Sequence, residues 1–254
     1  MNLTHKIEKL LSKKGLRSAA SHLFRRWQTV RATLAGNAVN APFPLTPENL
    51  LASFDGAEFQ RIQKQHGVTE PTHSNRKYIS FPLPWLDKNI RRIQAVGLDY
   101  GARRNVLDLG CGAGYFLYIA QLLGHRAIGL DIDNEPIFRK MTSLLKVDRR
   151  VCGVQAFVAL PEFGCKFDIV TAHLICFNGH DTEQVWGVKE WSFFFNDLSR
   201  HLQPDAKIDF QLNPEPGNVF LTDELHSYFR NRLKAVISPS RRHLFLEHRR
   251  FRAA

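Results

Sequence analysis

The strongest constraint on the fold of this chain is residues 105–116, which read Asn-Val-Leu-Asp-Leu-Gly-Cys-Gly-Ala-Gly-Tyr-Phe. The apolar run from Val106 to Leu109 predicts a buried parallel strand. Three glycines are interleaved after it, and the apolar spacing that follows predicts a helix over 114–123. Because glycine has no Cβ and the free N–H groups at a helix start attract anionic groups, we expect a ligand to approach the backbone here.

The spacing of the glycines narrows the choice of ligand. A dinucleotide-binding turn requires G-x-G-x-x-G, whereas here the third glycine, Gly114, comes one residue early. The carboxylate of Asp108, two residues before the first glycine, is a poor neighbour for a pyrophosphate and a good one for an ammonium group. A second carboxylate, Asp131, ends the next apolar run, where ribose hydroxyls would lie.

These two pieces, D-L-G-C-G-A-G-Y at 108–115 and G-L-D at 129–131, resemble motifs I and II of the class I S-adenosylmethionine-dependent methyltransferases. The resemblance implies S-adenosyl-L-methionine as cofactor. It also implies an α/β fold, a doubly wound, seven-stranded, mostly parallel sheet of the Rossmann-like methyltransferase type that ends in a hairpin. The cofactor-binding residues that it implies are Asp108, Gly110, Gly112, Gly114, Asp131, Ile132 and Ala156.

The resemblance assigns a role to several of these residues. Asp108 would order the ammonium group of the cofactor, Asp131 would accept hydrogen bonds from the ribose hydroxyls, and Ile132 would pack on the adenine. The chain departs from the family after the third strand, where an acidic residue often binds the adenine amino group. Residues 154–161 carry no carboxylate, so Gln155, Ala156 or the backbone must bind that group.

Strands and helices alternate from residue 105 onward, which predicts a parallel sheet with helices on both faces. A Pro-rich loop over 70–84 marks the predicted boundary between a helical N-terminal extension, residues 1–84, and a methyltransferase domain, residues 85–254. Strands are predicted at 105–109, 126–131, within 151–157, 167–172 and 207–212, followed by a hairpin at 235–237 and 243–247. Helices are predicted at 50–65, 85–96, 114–123, 134–145, 190–202 and 222–233. Asn134 is the predicted N-cap of the helix at 134–145.

The N-terminal segment carries apolar residues at steps of three and four from Leu3 to Leu34, with lysines and arginines on its other face. This predicts an amphipathic helix, broken near Gly15. Such a helix could lie on an anionic membrane surface, cap the substrate site, or pack on the core with its basic residues in water. An organelle transit peptide is a further alternative. We favour packing against the core.

The net charge of +11 is concentrated at the two ends. Residues 1–34 and residues 230–254 each carry eight Lys or Arg against one Glu. Such ends could contact RNA, an anionic membrane or an acidic partner, or could simply be solvated faces.

The four cysteines form no C-x-x-C pair, so we expect neither a metal site nor disulfides. This cysteine usage favours a reducing cytosol, so we expect a cytoplasmic protein, with peripheral membrane association left open. No apolar run is long enough to span a membrane.

The acceptor side of the site is expected just after the fourth strand, in residues 171–181. Polar side chains are dense there, and His173, Asn178 and His180 are the catalytic candidates, with Asp181 as an orienting carboxylate for His180. A loop or packing role is the alternative for either histidine. Trp186 is the candidate for the pocket wall, whereas the helical spacing of Trp191, Phe194 and Phe195 predicts core positions.

Two nearby sequence features bear on the acceptor. The Asn/Asp-Pro-Pro-Tyr run of enzymes that methylate amino groups of adenine or protein glutamine is missing after the fourth strand. Residues 213–216, Asn-Pro-Glu-Pro, predict a rigid turn, with Glu215 in the acceptor pocket as the alternative.

The predicted function is transfer of a methyl group from S-adenosylmethionine to a small-molecule, glycan or lipid-head-group acceptor, at oxygen or nitrogen. One alternative is an RNA methyltransferase that uses the basic ends of the chain. Another is a methyltransferase-like scaffold that retains the fold but not the chemistry.

Overall fold

The structure is a computed structural model that describes residues 13–69, 74–175, 177, 185–214 and 219–251, with side chains of the first helix described from residue 21. A seven-stranded sheet crosses the protein in the order β3-β2-β1-β4-β5-β7-β6. Its strands are β1 (Asn105–Leu109), β2 (Arg126–Asp131), β3 (Asp148–Val151), β4 (Phe167–His173), β5 (Leu202–Gln211), β6 (Val236–Ile237) and β7 (His243–Glu247).

The first five strands run parallel, and the last two form an antiparallel hairpin at one side of the sheet. The order in which strands are added to the sheet reverses at β1. Strand β2 pairs on one side of β1, and β4 pairs on the other. This arrangement confirms the predicted fold class, a doubly wound, mostly parallel seven-stranded α/β sheet with helices before it.

Helices lie before and between the strands. Two of them begin at threonine caps. The hydroxyl of Thr46 accepts the N–H of Asn49, and that of Thr222 accepts the N–H of Leu225. The helices are α1 (Lys13–Leu34), α2 (Pro47–Ala52), α3 (Gly56–His66), α4 (Lys77–Ser80), α5 (Pro82–Ala95), α6 (Tyr115–Leu122), α7 (Pro136–Leu144), α8 (Val188–Arg200), α9 (Asp223–Ser227), a π-helical turn (Tyr228–Arg232) and α10 (His248–Phe251).

The structure corrects the position of two predicted strands. The third strand is Asp148–Val151 rather than part of 151–157, because an edge strand pairs through its backbone and can carry charged side chains. The fifth strand begins at Leu202 rather than at residue 207. Its pairing with β4 shifts register between Leu202 and Lys207, so that a bulge accommodates Pro204, which the strand pattern excludes.

Three helix predictions are also corrected. The N-cap of α7 is Glu135 rather than Asn134, since Pro136 supplies the first helical residue. The single helix expected over 50–65 is two helices, α2 and α3, separated by the side-chain cap of Asp55. Helix α1 continues through Gly15 without a break.

Each face of the sheet packs against its own apolar cluster, and neighbouring strand residues alternate between the two. Leu107 and Leu109 belong to the cluster that contains α8 and its aromatic residues. Val106 belongs to the other cluster, which unites α5 and α6 with Leu50 and Ile62 from the N-terminal helices. The boundary at residue 84 stays a prediction, but helices on both sides of it share this second core.

Helix α1 contacts the rest of the protein through a different face from the one we expected. Arg25 forms an ion pair with Asp99 at 3.1 Å, and Thr29 accepts a hydrogen bond from the backbone N–H of Gly101. The large apolar side chains described in α1, from Leu23 to Leu34, are instead exposed, Trp27 by 55%. The expectation that the apolar face packs on the core is therefore wrong. None of the helices that the structure describes is long and apolar enough to cross a membrane.

Candidate active site

A cleft of about 1110 Å³ opens beyond the carboxyl ends of β1, β2 and β4. This is the place where ligands bind in open α/β sheets, at the strand where the chain direction across the sheet reverses. The cleft is lined by Asn75, Tyr78, Gly110, Gly112, Leu130, Asp131, Ile132, Asn134, Phe138, Cys152, Gly153, Val154, Gln155, Ala156, Phe157, His173, Leu174, Ile175, Phe177, Val185, Trp186, Glu190 and Asn213.

The glycine turn after β1 forms the floor of this cleft. The N–H groups of Gly110 and Cys111 both donate to the carbonyl of Leu130, at 2.8 and 3.1 Å, which ties the turn to the end of β2. Gly110 has a φ of +69°, and a Cβ there would lie 2.1 Å from a methyl group of Ile175. A Cβ on Gly112 would meet only the ring of Phe138, at 3.7 Å, so this residue leaves open space toward the cleft.

Asp131 joins the two sequence motifs in space. Its Oδ2 accepts the backbone N–H of Gly112 at 2.5 Å, so the residue at the end of β2 is hydrogen-bonded to the turn after β1. Burial raises the pKa of this carboxyl, and the Gly112 N–H and the charge of Arg149 oppose that rise. The carboxylate therefore faces the cleft in a fixed position, with acceptor capacity beyond the bond to Gly112.

The wall beside Asp131 is apolar. Ile132 is 49% exposed and Phe157 is 55% exposed, and both line the cleft together with Ala156. Arg149 donates to the carbonyl of Ile132 at 2.8 Å and to Asp133, which holds the loop after β2 in place. Exposed apolar side chains around Asp131 make this wall suitable for a flat aromatic ring.

Asp108 lies behind the turn rather than at the cleft surface. It is 3% exposed, and Oδ1 accepts the hydroxyl of Thr171 at 2.7 Å. Burial raises its pKa to about 7, and the Thr171 hydrogen bond and the charge of Arg92 oppose that rise. A buried carboxyl with a pKa so close to neutral is a common property of functional sites.

His173 ends β4 and reaches the cleft beside Asp108. Its Nδ1 lies 3.9 Å from Oδ1 of Asp108, and its Nε2 lies 3.6 Å from Oδ2 of Asp209. Neither ring nitrogen has a hydrogen-bond partner among the described residues. Burial lowers the pKa of this histidine to about 4, and nearby Asp209 opposes the fall. The imidazole is therefore neutral at neutral pH, and both of its ring nitrogens are buried.

A polar row on the sheet supports His173. Asp108, Thr171 and Asp209 are register partners on β1, β4 and β5. From α5, Arg92 donates to Gln211 on β5 at 3.3 Å. Burial lowers the pKa of Arg92, while the charges of Asp108 and Asp209 favour its charged form. Two carboxyl groups, those of Asp108 and Asp209, and the guanidinium of Arg92 therefore lie beneath the floor of the cleft.

Several cleft residues come from segments that the sequence motifs did not identify. Asn75 and Tyr78 belong to the segment before α5, and the hydroxyl of Tyr115 donates to the carbonyl of Tyr78 at 2.6 Å. Asn213 follows β5 and donates to the carbonyl of Leu174 at 2.7 Å. Because Asn213 follows the predicted fifth strand, its position at the carboxyl edge of the sheet could have been predicted from the sequence. The sequence carries no such indication for Asn75 or Tyr78.

The predicted cofactor-binding residues divide into two groups. The structure brings Gly110, Gly112, Asp131, Ile132 and Ala156 together at the cleft, with Asp108 behind them. It does not bring Gly114 there, because this residue caps α6 and a Cβ on it would meet Thr142 and Val147. Cys111 is buried against Gly129, which agrees with a packing role for this thiol.

The predicted acceptor residues are described only in part. His173 and Trp186 line the cleft. Trp191, Phe194 and Phe195 are buried, which confirms their predicted place in the core. The remaining candidates, Asn178, His180, Asp181 and Glu215, lie outside the described residues.

Several solved structures are similar to this chain. No protein-family model and no curated protein matches the chain. The glycopeptide N-methyltransferase MtfA is 17% identical, with a TM-score of 0.37, over 51% of this chain and 54% of that one, so the match spans about half of MtfA. The T. thermophilus 16S rRNA N2 G1207 methyltransferase RsmC is 19% identical, with a TM-score of 0.44, over 71% of this chain and 44% of that one.

A TehB-like SAM-dependent methyltransferase from Corynebacterium glutamicum is 16% identical to the chain, with a TM-score of 0.41. The match covers 65% of this chain and 95% of that one. CalS10, an amino pentose methyltransferase from Micromonospora echinaspora, is 23% identical, with a TM-score of 0.36, over 53% of each chain. The fold of this chain, established by its sheet order, is the Rossmann-like methyltransferase fold.

Proposed function

We propose that the protein is a methyltransferase that uses S-adenosyl-L-methionine. The observation that carries this proposal is the hydrogen bond between the Gly112 N–H and the Asp131 carboxylate at the floor of the cleft. It unites the two motifs on which the family resemblance depends. A glycine turn alone would suit many anionic ligands, whereas a carboxylate fixed beside it adds an acceptor for ribose hydroxyls. The early third glycine, Gly114, departs from the spacing that binds a pyrophosphate.

The residues present fit this cofactor. Gly112 leaves the space that a Cβ would fill, Asp131 offers oxygen acceptors for a ribose diol, and Ile132 offers an apolar face for adenine. Asp108 is the buried acid nearest in sequence to the turn and would favour an ammonium group. Ligand pockets in proteins commonly measure about 300–1000 Å³, so the 1110 Å³ of this cleft accommodates a cofactor and an acceptor.

When bound, the cofactor supplies a methyl group that its sulfonium already activates. The task left to the protein is to hold the acceptor atom in line and to remove water and protons. His173, at the cleft end of β4, would serve that task as a positioning residue, because its ring nitrogens are buried between Asp108 and Asp209. Its side chain is 4% exposed, and its Nε2 lies 3.6 Å from Oδ2 of Asp209.

We propose that Asn178 and His180, further along the same connection, complete the acceptor side. The acceptor class proposed is a small molecule, glycan or lipid head group, methylated at oxygen or nitrogen. The mixed lining supports this choice, since Trp186 and Phe177 provide apolar contact while Asn213, Asn75 and Glu190 provide polar groups.

A ligand-selectivity experiment tests the proposal. Thermal unfolding of the whole protein should shift upward with S-adenosylmethionine and with S-adenosylhomocysteine, because a ligand that binds only the folded state stabilises it. NAD⁺, which needs a pyrophosphate site, should leave the midpoint unchanged. Stabilisation by NAD⁺ and none by the two sulfur compounds would overturn the proposal.

A further inference from the structure

Helix α1 presents an apolar stripe to solvent. Leu23, Trp27, Val30 and Leu34 follow one another at steps of four, three and four residues, which places them on one face of the helix. Their side chains are between 55% and 85% exposed, and neighbouring Phe24 is also exposed. A contiguous exposed stripe of this kind is uncommon on a soluble surface and marks an interaction site.

The opposite face of α1 holds the helix to the protein. Arg25 pairs with Asp99 at 3.1 Å and lies over the ring of Tyr100 at 4.7 Å. Thr29 accepts the N–H of Gly101 at 3.3 Å, and Ala32 is buried. At 3.6 residues per turn, the face of Arg25, Thr29 and Ala32 lies roughly opposite the apolar stripe. These contacts therefore direct the stripe outward.

Positive charge flanks the stripe on both sides. Arg26 and Arg31 project to either side of it by helical spacing, and the guanidinium of Arg31 lies over the ring of Trp27 at 5.5 Å. Residues 13–34 contain six Lys or Arg and no Asp or Glu. The exposed surface of α1 thus combines apolar side chains with a border of one sign of charge.

We propose that α1 docks the protein onto an anionic membrane surface. The stripe would enter the boundary between head groups and acyl chains, while the flanking arginines would contact lipid phosphates. A second copy of the chain would bring two basic helices together, which like-charge repulsion opposes. RNA would pair with the arginines but would leave the apolar stripe in water. An anionic bilayer provides a partner for both features.

The position of α1 is compatible with an accessible cleft. Helix α1 contacts residues 99–101, which precede β1, whereas the cleft begins at the other end of that strand. Five strand residues separate the two sites by about 16 Å. Docking through α1 therefore leaves the cleft free, and the membrane inference does not depend on the proposed methyl transfer.

Trp27 provides a built-in probe for the test. Of the four tryptophans, Trp27 is exposed, Trp85 is partly buried, and Trp186 and Trp191 are buried, so Trp27 is the most solvent-sensitive of them. With equimolar phosphatidylcholine and phosphatidylglycerol vesicles, the emission of the whole protein should shift to the blue and the protein should co-sediment with the vesicles. Vesicles of phosphatidylcholine alone should bind it at least about tenfold more weakly.

Substitutions separate the apolar and charged contributions. Val30→Gln with Leu34→Gln should reduce sedimentation with the mixed vesicles about tenfold or more, while leaving the Trp27 probe in place. Arg26→Gln with Arg31→Gln should reduce it about tenfold and weaken its dependence on salt. The matched control, Ser21→Gln with Thr33→Gln, changes exposed polar residues of the same helix and should bind like the wild type.

Three results would overturn the inference. The first is equal binding to neutral and anionic vesicles, and the second is wild-type binding by the Val30 and Leu34 variant. The third is a concentration-dependent dimer, measured by light scattering without vesicles, that the same variant abolishes. Circular dichroism of each variant, together with its affinity for S-adenosylhomocysteine, checks that the fold and the cleft are intact.

Discussion

At the scale of single residues, Asp108 shows the clearest conflict between stability and function. Its carboxyl is buried behind the glycine turn, and burial raises its pKa from an ordinary 3.8 to about 7. A charge at this position is unfavourable for the empty protein but favourable for a cationic ligand group. Protonation of this residue should therefore influence both stability and ligand binding.

We predict that affinity for S-adenosylhomocysteine falls about tenfold between about pH 8 and about pH 6, as expected for one linked group with a pKa of about 7. Protonation removes the negative charge that favours the ligand ammonium group. Isothermal titration across the range measures the slope. The same titration of Asp108→Asn should show weaker binding without this slope, and an unchanged slope would contradict the role given to Asp108.

The stability of the ligand-free protein should change in the opposite direction. Because the folded-state pKa of Asp108 is raised, the folded protein holds this proton more tightly than the unfolded chain does. The contribution of this group to stability is therefore greatest near and below pH 4 and is lost as the pH rises toward 7. Asp108→Asn keeps an acceptor for Thr171 and removes the buried charge, so we predict a gain of about 1–3 kcal/mol at about pH 8.

Chemical denaturation at two pH values checks this prediction. The gain from Asp108→Asn should largely disappear by about pH 4, where the carboxyl of the folded protein is protonated and that of the unfolded chain is close to its ordinary pKa of 3.8. A variant that is less stable than the wild type at about pH 8 would show that the ionised carboxylate stabilises the fold.

Sequence reasoning identified the residues of the glycine turn because their chemistry is local. Asp108, Gly110, Gly112 and Asp131 occupy fixed offsets from strand ends, and parallel strands bring those ends to one edge. Tyr78 could not be found in this way. It reaches the cleft through a hydrogen bond from Tyr115 to its carbonyl, a long-range contact without a periodic pattern.

At the scale of secondary-structure elements, the glycine turn should be sensitive to sterics as well as to backbone strain. Gly110 and Gly164 have nearly the same positive φ, +69° and +71°. An added Cβ would clash with Ile175 at Gly110 and would meet nothing within 4 Å at Gly164. The pair therefore separates the clash from the strain of a left-handed backbone.

We predict that Gly164→Ala costs about 1–2 kcal/mol, because only backbone strain opposes it. Gly110→Ala should cost about 1–3 kcal/mol more through overpacking against Ile175, and it should weaken binding of S-adenosylhomocysteine. Urea denaturation and isothermal titration of both variants provide the comparison. Equal costs and equal affinities would show that the turn adjusts freely and is not a shaped floor.

The elements were predictable where they are buried and periodic. The apolar runs of β1, β2 and β4 predict central parallel strands. The pattern failed for β3, whose residues Asp148-Arg-Arg-Val151 look like a loop, and at Pro204 in β5. In both places backbone pairing with a neighbouring strand determines the structure, and side-chain patterns do not report it.

At the scale of the whole molecule, helices α2 and α3 share one of the two apolar clusters with the sheet. Ile62 from α3 and Ile93 from α5 are fully buried in the same apolar cluster as α6. Apolar residues from the two sides of the predicted boundary at 84 therefore pack together and bury each other. This arrangement was not visible in the sequence, where the Pro-rich loop suggested separate units.

We predict that Ile62→Ala lowers the free energy of unfolding by about 2–5 kcal/mol, as expected when a buried branched side chain is replaced by alanine. Because the core is shared, unfolding should remain a single transition by circular dichroism and by tryptophan fluorescence. Val236→Ala, at a 60% exposed position, is the control and should change stability by less than about 0.5 kcal/mol. A separate early transition for the N-terminal helices would contradict a shared core.

The central claim for the molecule is that the cleft binds S-adenosylmethionine through the paired motifs. Isothermal titration of S-adenosylhomocysteine into wild-type protein, Asp131→Ala and Asp223→Asn tests it most directly. The wild type and the exposed control, Asp223→Asn, should bind equally, while Asp131→Ala should bind at least about a hundredfold more weakly, because it loses the ribose acceptor and the Gly112 bond. Folded wild-type protein that shows no binding, or Asp131→Ala that binds like the wild type, would contradict the account.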